Sequence, residues 1–288
     1  MLTSRAPLFV RNTLVVSVCT LMMVLTATSC TQSRHGQAQE LYDRAIQAFA
    51  DKRMGQAKFL TDSIHKHYAD VVDIYSQSRE LRQRIVAYEG ERTLAYLDSM
   101  LSVRQTEQKR LMELVVIDDA QATVPVYVAK TQQTRRAYNR SHLRATVDAN
   151  GNFSISSNYT GERHIHHNSV TVSSNNEDFV RTAEVTDEAF VHEFDDDEQV
   201  WETVKYTGQE AATLATFICQ NKDNYLRADY KGPRAHYILL MTDVDKQAVH
   251  DVWMLSRSLR ETIKIRGMIR ATRRDMKRNG EDKCLSLN

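Results

Sequence analysis

The order of apolar patterns along the chain predicts an α+β fold. Apolar residues recur at helical spacing from residue 41 to 114, alternate at strand spacing from 124 to 240, and return to helical spacing from 248 to 263. Segregated runs of this kind argue against a doubly wound sheet, in which helices and strands alternate. The expected architecture is an N-terminal helical hairpin and long helix, a central antiparallel β-rich module with one short helix, and a long C-terminal helix. That last helix is expected to pack on the long N-terminal one.

The elements follow in order. Leu41, Ala45, Ala48 and Phe49 share one face of a first helix, which Gly55 is expected to end. Ala57, Leu60, Ile64 and Tyr68 carry a second. Val71, Ile74, Leu81, Ile85 and Tyr88 begin a third. Gly90 costs that helix only about 1 kcal/mol, and Leu94, Leu97, Leu101, Leu111 and Leu114 resume the period. After Asp118-Asp119 the alternation begins. Val124, Val126 and Val128 surround Pro125, which suits an edge strand. Leu143, Ala145 and Val147 alternate before Asn150-Gly151, and Phe153, Ile155 and Tyr159 alternate after it, which predicts a β-hairpin. Val170 and Val172 mark another strand, with two more expected at Phe179–Val185 and Ala189–Phe194.

Trp201, Val204 and Tyr206 open the next element. Thr207 and Glu210 stand at capping-box spacing before the short helix of Leu214, Phe217 and Ile218. Tyr225–Tyr230 and His236–Leu240 form a second hairpin around Gly232-Pro233. Thr242 and Asp245 cap the last helix. Its stripe of Ala248, Val252, Leu255, Leu259 and Ile263 calls for a helical partner, expected to run antiparallel in residues 80–115.

Composition excludes several classes. Only 9 glycines and 3 prolines in 288 residues make low-complexity disorder unlike this chain. With 38 basic and 37 acidic residues there is no strongly basic domain, so nucleic acid is not an expected partner. Gly-x-Ser-x-Gly, His-Glu-x-x-His and Cys-x-x-Cys are absent, so no catalytic residue is assigned.

The N-terminus bears on location. Arg5 and Arg11 precede an uncharged apolar run from Leu14 to Leu25, and Ala27-Thr28-Ser29 lead to Cys30. A basic start, a short apolar core and a small-residue exit describe a secretory signal. A membrane-spanning helix needs about 20 apolar residues, more than this run supplies. The end of the signal resembles the lipobox of bacterial lipoproteins, although Ala27 stands where that family usually has leucine. The resemblance implies cleavage after residue 29 and a lipid on Cys30, so that the membrane is a partner through that lipid. Residues 1–29 hold two arginines and no acid, so the mature chain would carry 36 basic and 37 acidic residues. The expected organisation is a signal at 1–29, a lipidated tether at 30–36, a helical stalk at 37–117, the β module at 121–241, the last helix at 242–279 and a flexible tail at 280–288.

Two further resemblances are looser. Ala45 and Ala57 stand at the separation that a tetratricopeptide unit uses for close helix crossing, although Ala69 and Thr61 replace its usual proline and aromatic. An ordinary amphipathic hairpin explains the pattern equally. Cys30, Leu60-Thr-Asp-Ser-Ile64, Tyr96-Leu-Asp-Ser-Met100 and Ser141-His-Leu-Arg144 with the hairpin after it resemble envelope lipoproteins of Bacteroidetes. That likeness implies a lipid-anchored protein of the cell envelope; the expected role is binding or scaffolding, with an envelope protein or glycan as partner. It brings no catalytic residues. In such proteins surface export goes with acidic residues after the lipid cysteine. Thr31-Gln-Ser-Arg-His35 has none, which implies an outer-membrane protein facing the periplasm.

Other residues admit two readings. His164 and His166 would face one side of a strand and share a zinc ion, with His192 or an acid of Asp195–Glu198 as a third ligand. Ordinary hydrogen bonding also accounts for them and for His167, and no cofactor is expected. An alternative function is therefore a metal-dependent envelope enzyme using His164 and His166; another is carbohydrate or peptide binding by the β module, with Trp201 or Trp253 in a groove. Arg270, Arg273, Arg274, Lys277 and Arg278 oppose the dipole of the last helix and are also candidates for contact with anionic lipid. Cys219 and Cys284 are expected as free thiols.

Overall fold

The computed structural model describes residues 34–119, 124–133, 139–175, 178–196 and 198–281. The signal, Cys30 and Cys284 lie outside the described residues. Residues 34–36, expected in the tether, are already helical. The chain divides into two compact units, one of residues 34–96 and 270–281 and the other of residues 97–269.

In the first unit α1 (34–50) and α2 (Met54–His67) precede the start of α3 (Val72–Met112). Ala45, Ala48, Ala57, Leu60, Leu81 and Ile85 form a buried cluster, in which the alanines let the helices approach closely. The break between α1 and α2 is not at Gly55, which is helical, but at Asp51-Lys52-Arg53. Lys52 takes a left-handed φ of 59°, and the Arg53 amide returns to the Ala48 carbonyl at 2.8 Å. α3 continues through Gly90. A Cβ there would lie 2.6 Å from Met276 of α5 (Asp243–Glu281), so the missing side chain permits a close approach of the last helix.

The second unit holds a six-stranded and a four-stranded antiparallel sheet. The first has the order β1 (Val115–Asp119), β2 (Val126–Ala129), β3 (His142–Asp148), β4 (Phe153–Gly161), β8 (Val200–Thr207), β7 (Val191–Asp195). The second has the order β10 (His236–Leu240), β9 (Leu226–Lys231), β5 (Ser169–Ser174), β6 (Phe179–Arg181). The short helix α4 (Gly208–Gln220) and residues 243–269 of α5 contribute to the same core as both sheets, with Leu143, Ile155, Val172, Val204, Leu214, Ala228, Val252 and Leu255 in one cluster. Each such aliphatic stabilises the fold by roughly 2 kcal/mol. α5 also packs on α3 here. Arg104 reaches Glu261 at 2.7 Å, and the Thr262 hydroxyl donates to Gln108 at 3.4 Å.

The Asn150-Gly151 hairpin joins β3 to β4, with Val147 opposite Phe153. The Asp148 carboxylate accepts from the amides of Asn150 and Asn152, at 2.9 and 2.8 Å. Gly151 has a φ of +81°, which L-residues rarely adopt. Its carbonyl accepts from Ser256 at 2.8 Å, so the turn is docked on α5. The second hairpin forms as expected, with Tyr230 opposite Tyr237.

Several local expectations are corrected. α3 ends at Met112, and residues 115–117, the end of the expected helical stalk, belong instead to the strand Val115–Asp119. It is β1, not β2, that lies at the edge of the sheet; Pro125 just precedes β2, where its missing amide costs no ladder bond. The strands β6 and β7 are shorter than expected, and Glu188–Phe190 is a 3-10 turn. Thr207 and Glu210 do not form a capping box. Thr207 is still extended and paired with Ser154, and the Glu210 carboxylate accepts from the Ala183 amide at 3.1 Å. On α5, Ile263 is 43% exposed, while Thr262, Ile265 and Ile269 are buried. Beyond Leu259 the stripe advances by three residues to Thr262 and again to Ile265, and then by four to Ile269.

Candidate functional site

The chain leaves β4 at Gly161 and reaches β5 at Ser169 through an extended loop. His164 and His166 therefore do not lie on a strand, as the alternation suggested. They come together by another route. His166 takes a left-handed φ of 50°, and the two imidazoles stack with centroids 5.1 Å apart. The loop also presses its backbone on Gly232, where a Cβ would collide with the carbonyls of Ile165 and His166.

Glu202 organises the loop. Its side chain is 1% exposed on β8 and enters the turn of backbone around residues 164–167. Oε1 accepts from the amides of Ile165 and His166 at 2.7 and 2.9 Å, and Oε2 from the amide of His167 at 3.0 Å. Converging amides of this kind make a cradle for an anion. The rings add to it. His167 Nδ1 lies 2.7 Å from Oε2, and His164 Nδ1 lies 3.1 Å from Oε1. Burial alone would raise the Glu202 pKa, but bonds from the His167 ring and the amides of His166 and His167 bring it down to about 2. The buried carboxylate is thus a fixed negative charge.

The pairing of β7 with β8 puts Glu193 directly opposite Glu202, on the same face. Two carboxylates so placed repel, and the histidines lie among them. His166 Nδ1 is 2.9 Å from Glu193 Oε1, and His164 Nε2 is 3.3 Å from Asp195 Oδ1. Burial lowers the His164 pKa, but hydrogen bonds to Glu202 and Asp195 outweigh it and the net shift is upward. One donor atom each from His164, His166, Glu193 and Glu202 lies within 4.8 Å of the others.

Of the sequence-derived candidates, His164 and His166 meet and Asp195 joins them from the acidic segment. His192 does not: it is opposite Thr203, on the other face of the pair. Asp196 stays exposed and accepts the amides of Glu198 and Gln199 in its own turn, both at 3.0 Å. Glu193 and Glu202 were missed. Their signal was strand alternation, since an inward acid between Val200 and Val204 needs buried donors.

A second feature lies at the other end of β4 and β8. A groove of about 600 Å³ is lined by Thr146, Ser154, Lys205, Thr207, Trp253 and Arg260 among others. Thr146, Ser154 and Thr207 are register partners across β3, β4 and β8, giving a row of hydroxyls. Trp253 is 9% exposed, with Phe153 at 4.9 Å and the Arg260 guanidinium over its ring. Trp201 lies elsewhere, tilted on Phe194.

Arg270, Arg273, Arg274, Lys277 and Arg278 are exposed on α5. Among the described residues no helix is long and apolar enough to cross a membrane. Cys219 is free, and burial pushes its thiol up to about 11, which keeps it protonated. Comparison with protein-family models, curated proteins and solved structures finds no match.

Proposed function

We propose that this protein is anchored to the cell envelope by a lipid on Cys30 and acts by binding, with the groove of the β module as its ligand surface and a glycan as ligand. The groove carries the reading. Its row of Thr146, Ser154 and Thr207, in which the Thr146 and Ser154 hydroxyls bond each other at 2.6 Å, is flanked by Lys205 and Arg260 and presents polar groups at strand spacing. A polyhydroxylated ligand matches such a surface better than an apolar one. The N-terminal pattern and the likeness to Bacteroidetes lipoproteins support the anchor.

The test joins the two parts. Cys30→Ala should release the protein from membranes, and calorimetry with soluble peptidoglycan fragments and envelope glycans should show binding that Lys205→Ala and Arg260→Ala weaken. An unmodified mature N-terminus other than residue 30 refutes the anchor. Binding that both groove variants leave intact, or no glycan binding at all, refutes the groove.

A further inference from the structure

We propose that His164, His166, Glu193 and Glu202 bind one divalent transition-metal ion of the zinc class. The site is separate from the groove and does not depend on that reading.

The first argument is spacing. Tetrahedral zinc with bonds of about 2.0–2.1 Å holds its donor atoms roughly 3.3 Å apart. His164 Nδ1 and Glu202 Oε1 are 3.1 Å apart, and His166 Nδ1 and Glu193 Oε1 are 2.9 Å apart. All four residues offer an atom within 4.8 Å of the rest. Two edges of the polyhedron are therefore present already. The remaining closure falls on His166 and Glu193, whose side chains are 62% and 34% exposed and have room to move.

The second argument is proton placement. Both ring nitrogens of His164 face carboxylates, Nδ1 toward Glu202 and Nε2 toward Asp195. An ion on the Nδ1 lone pair leaves Nε2–H to donate to Asp195. That is the carboxylate–histidine–metal arrangement that orients ligands in metal sites. On binding, each imidazole gives up any proton on the coordinating nitrogen to solvent, and no electron moves.

The third argument is rigidity and charge. Glu202 is held by three amides and the ring of His167, so one ligand stands in place before an ion arrives. Glu193, Asp195 and Glu202 together bring three carboxylates to the two imidazoles. Two imidazoles and two carboxylates suit a borderline ion, whereas magnesium and calcium prefer oxygen alone. The bound ion would tie the β4–β5 loop to the β7–β8 pair.

The experiment uses the purified full chain, stripped with chelator and titrated with zinc chloride by calorimetry. One zinc per chain is expected, with micromolar or tighter affinity and a rise in melting temperature that magnesium chloride does not reproduce. His166→Ala and Glu193→Gln, both on the rim, should each weaken binding at least about 10-fold. Both should melt like the wild type without metal and lose the zinc-dependent rise. Cobalt should give the intense visible absorption of a tetrahedral ion in the wild type only. No saturable uptake at micromolar zinc overturns the proposal. So does uptake that both variants leave unchanged, which would place the ion elsewhere. If either variant melts early, His166→Gln and Glu193→Ala replace it under the same criterion.

Discussion

Asp245 and Glu202 are both carboxylates sealed inside the second unit, with side chains 4% and 1% exposed, but they keep different company. Asp245 faces a permanent cation. Arg140 grips it with two bonds of 2.6 Å, Gln132 donates at 2.9 Å and the Thr242 hydroxyl at 2.8 Å. Glu202 faces amides and imidazoles, and its cluster continues to the surface through His166 and Glu193. The first arrangement is closed and its charge state is set by an arginine that does not titrate. The second is built from backbone amides and imidazoles and has an open side. A buried carboxylate of the first kind locks a fold; one of the second kind can also receive a ligand.

Three perturbations separate the two. The largest effect is expected at Asp245. Asp245→Ala leaves Arg140, 37% exposed, without its partner and removes the acid that closes the cap of α5, at a cost of about 2–4 kcal/mol after discounting for solvation of the arginine; denaturant titration measures it. Zinc binding should survive in whatever fraction remains folded.

Glu202→Gln should cost less, about 1–3 kcal/mol. Its amide keeps the shape but sets an NH₂ group among donors that need an acceptor. Denaturant titration should show that loss together with the loss of the zinc response. Full stability with full zinc binding would remove Glu202 from both roles.

The third effect is acid sensitivity. Burial tends to raise the Asp245 pKa, but bonds from Arg140, Gln132 and Thr242 outweigh it and hold the group below its ordinary value. A depressed folded pKa means that the unfolded state binds the proton first as pH falls. The stabilisation is therefore present above about pH 4 and drains away as pH drops through the lower folded value. Melting curves from pH 6 to pH 2 should show this fall in the wild type and a partly flatter profile in Asp245→Asn, which keeps the loss due to Glu202, whose pKa is held down to about 2.

Much of the fold was legible because it rests on local rules. Asn150-Gly151 between two alternating runs specifies a hairpin, since the turn needs a positive φ that glycine supplies at residue 151. Thr242 and Asp245 read as a cap, and the cap forms, with the Asp245 amide donating to Thr242 Oγ1 at 3.1 Å. The failures occurred where a distant partner competed for the same group. Thr207 and Glu210 have capping-box spacing, but the ladder with Ser154 keeps Thr207 extended, and the Ala183 amide takes the carboxylate. Leu114 continues the helical apolar period of Leu111, but the strand Val115–Asp119 begins directly after it, where β2 offers backbone partners.

The site divides in the same way. His164 and His166 stand out in the sequence as residue types that bind metals. Their meeting with Glu193 and Glu202 depends on strand pairings and on a left-handed turn at His166, both nonlocal choices. The sequence by itself determined the α+β order, the hairpins, the long helices and the pattern at Cys30, because periodicity and turn chemistry act within a few residues. Only the tertiary structure decided that Asp245 would meet Arg140 and that Glu202 would gather the 164–167 loop. A buried charge is tolerated only where the whole fold delivers its donors, and no short segment contains them.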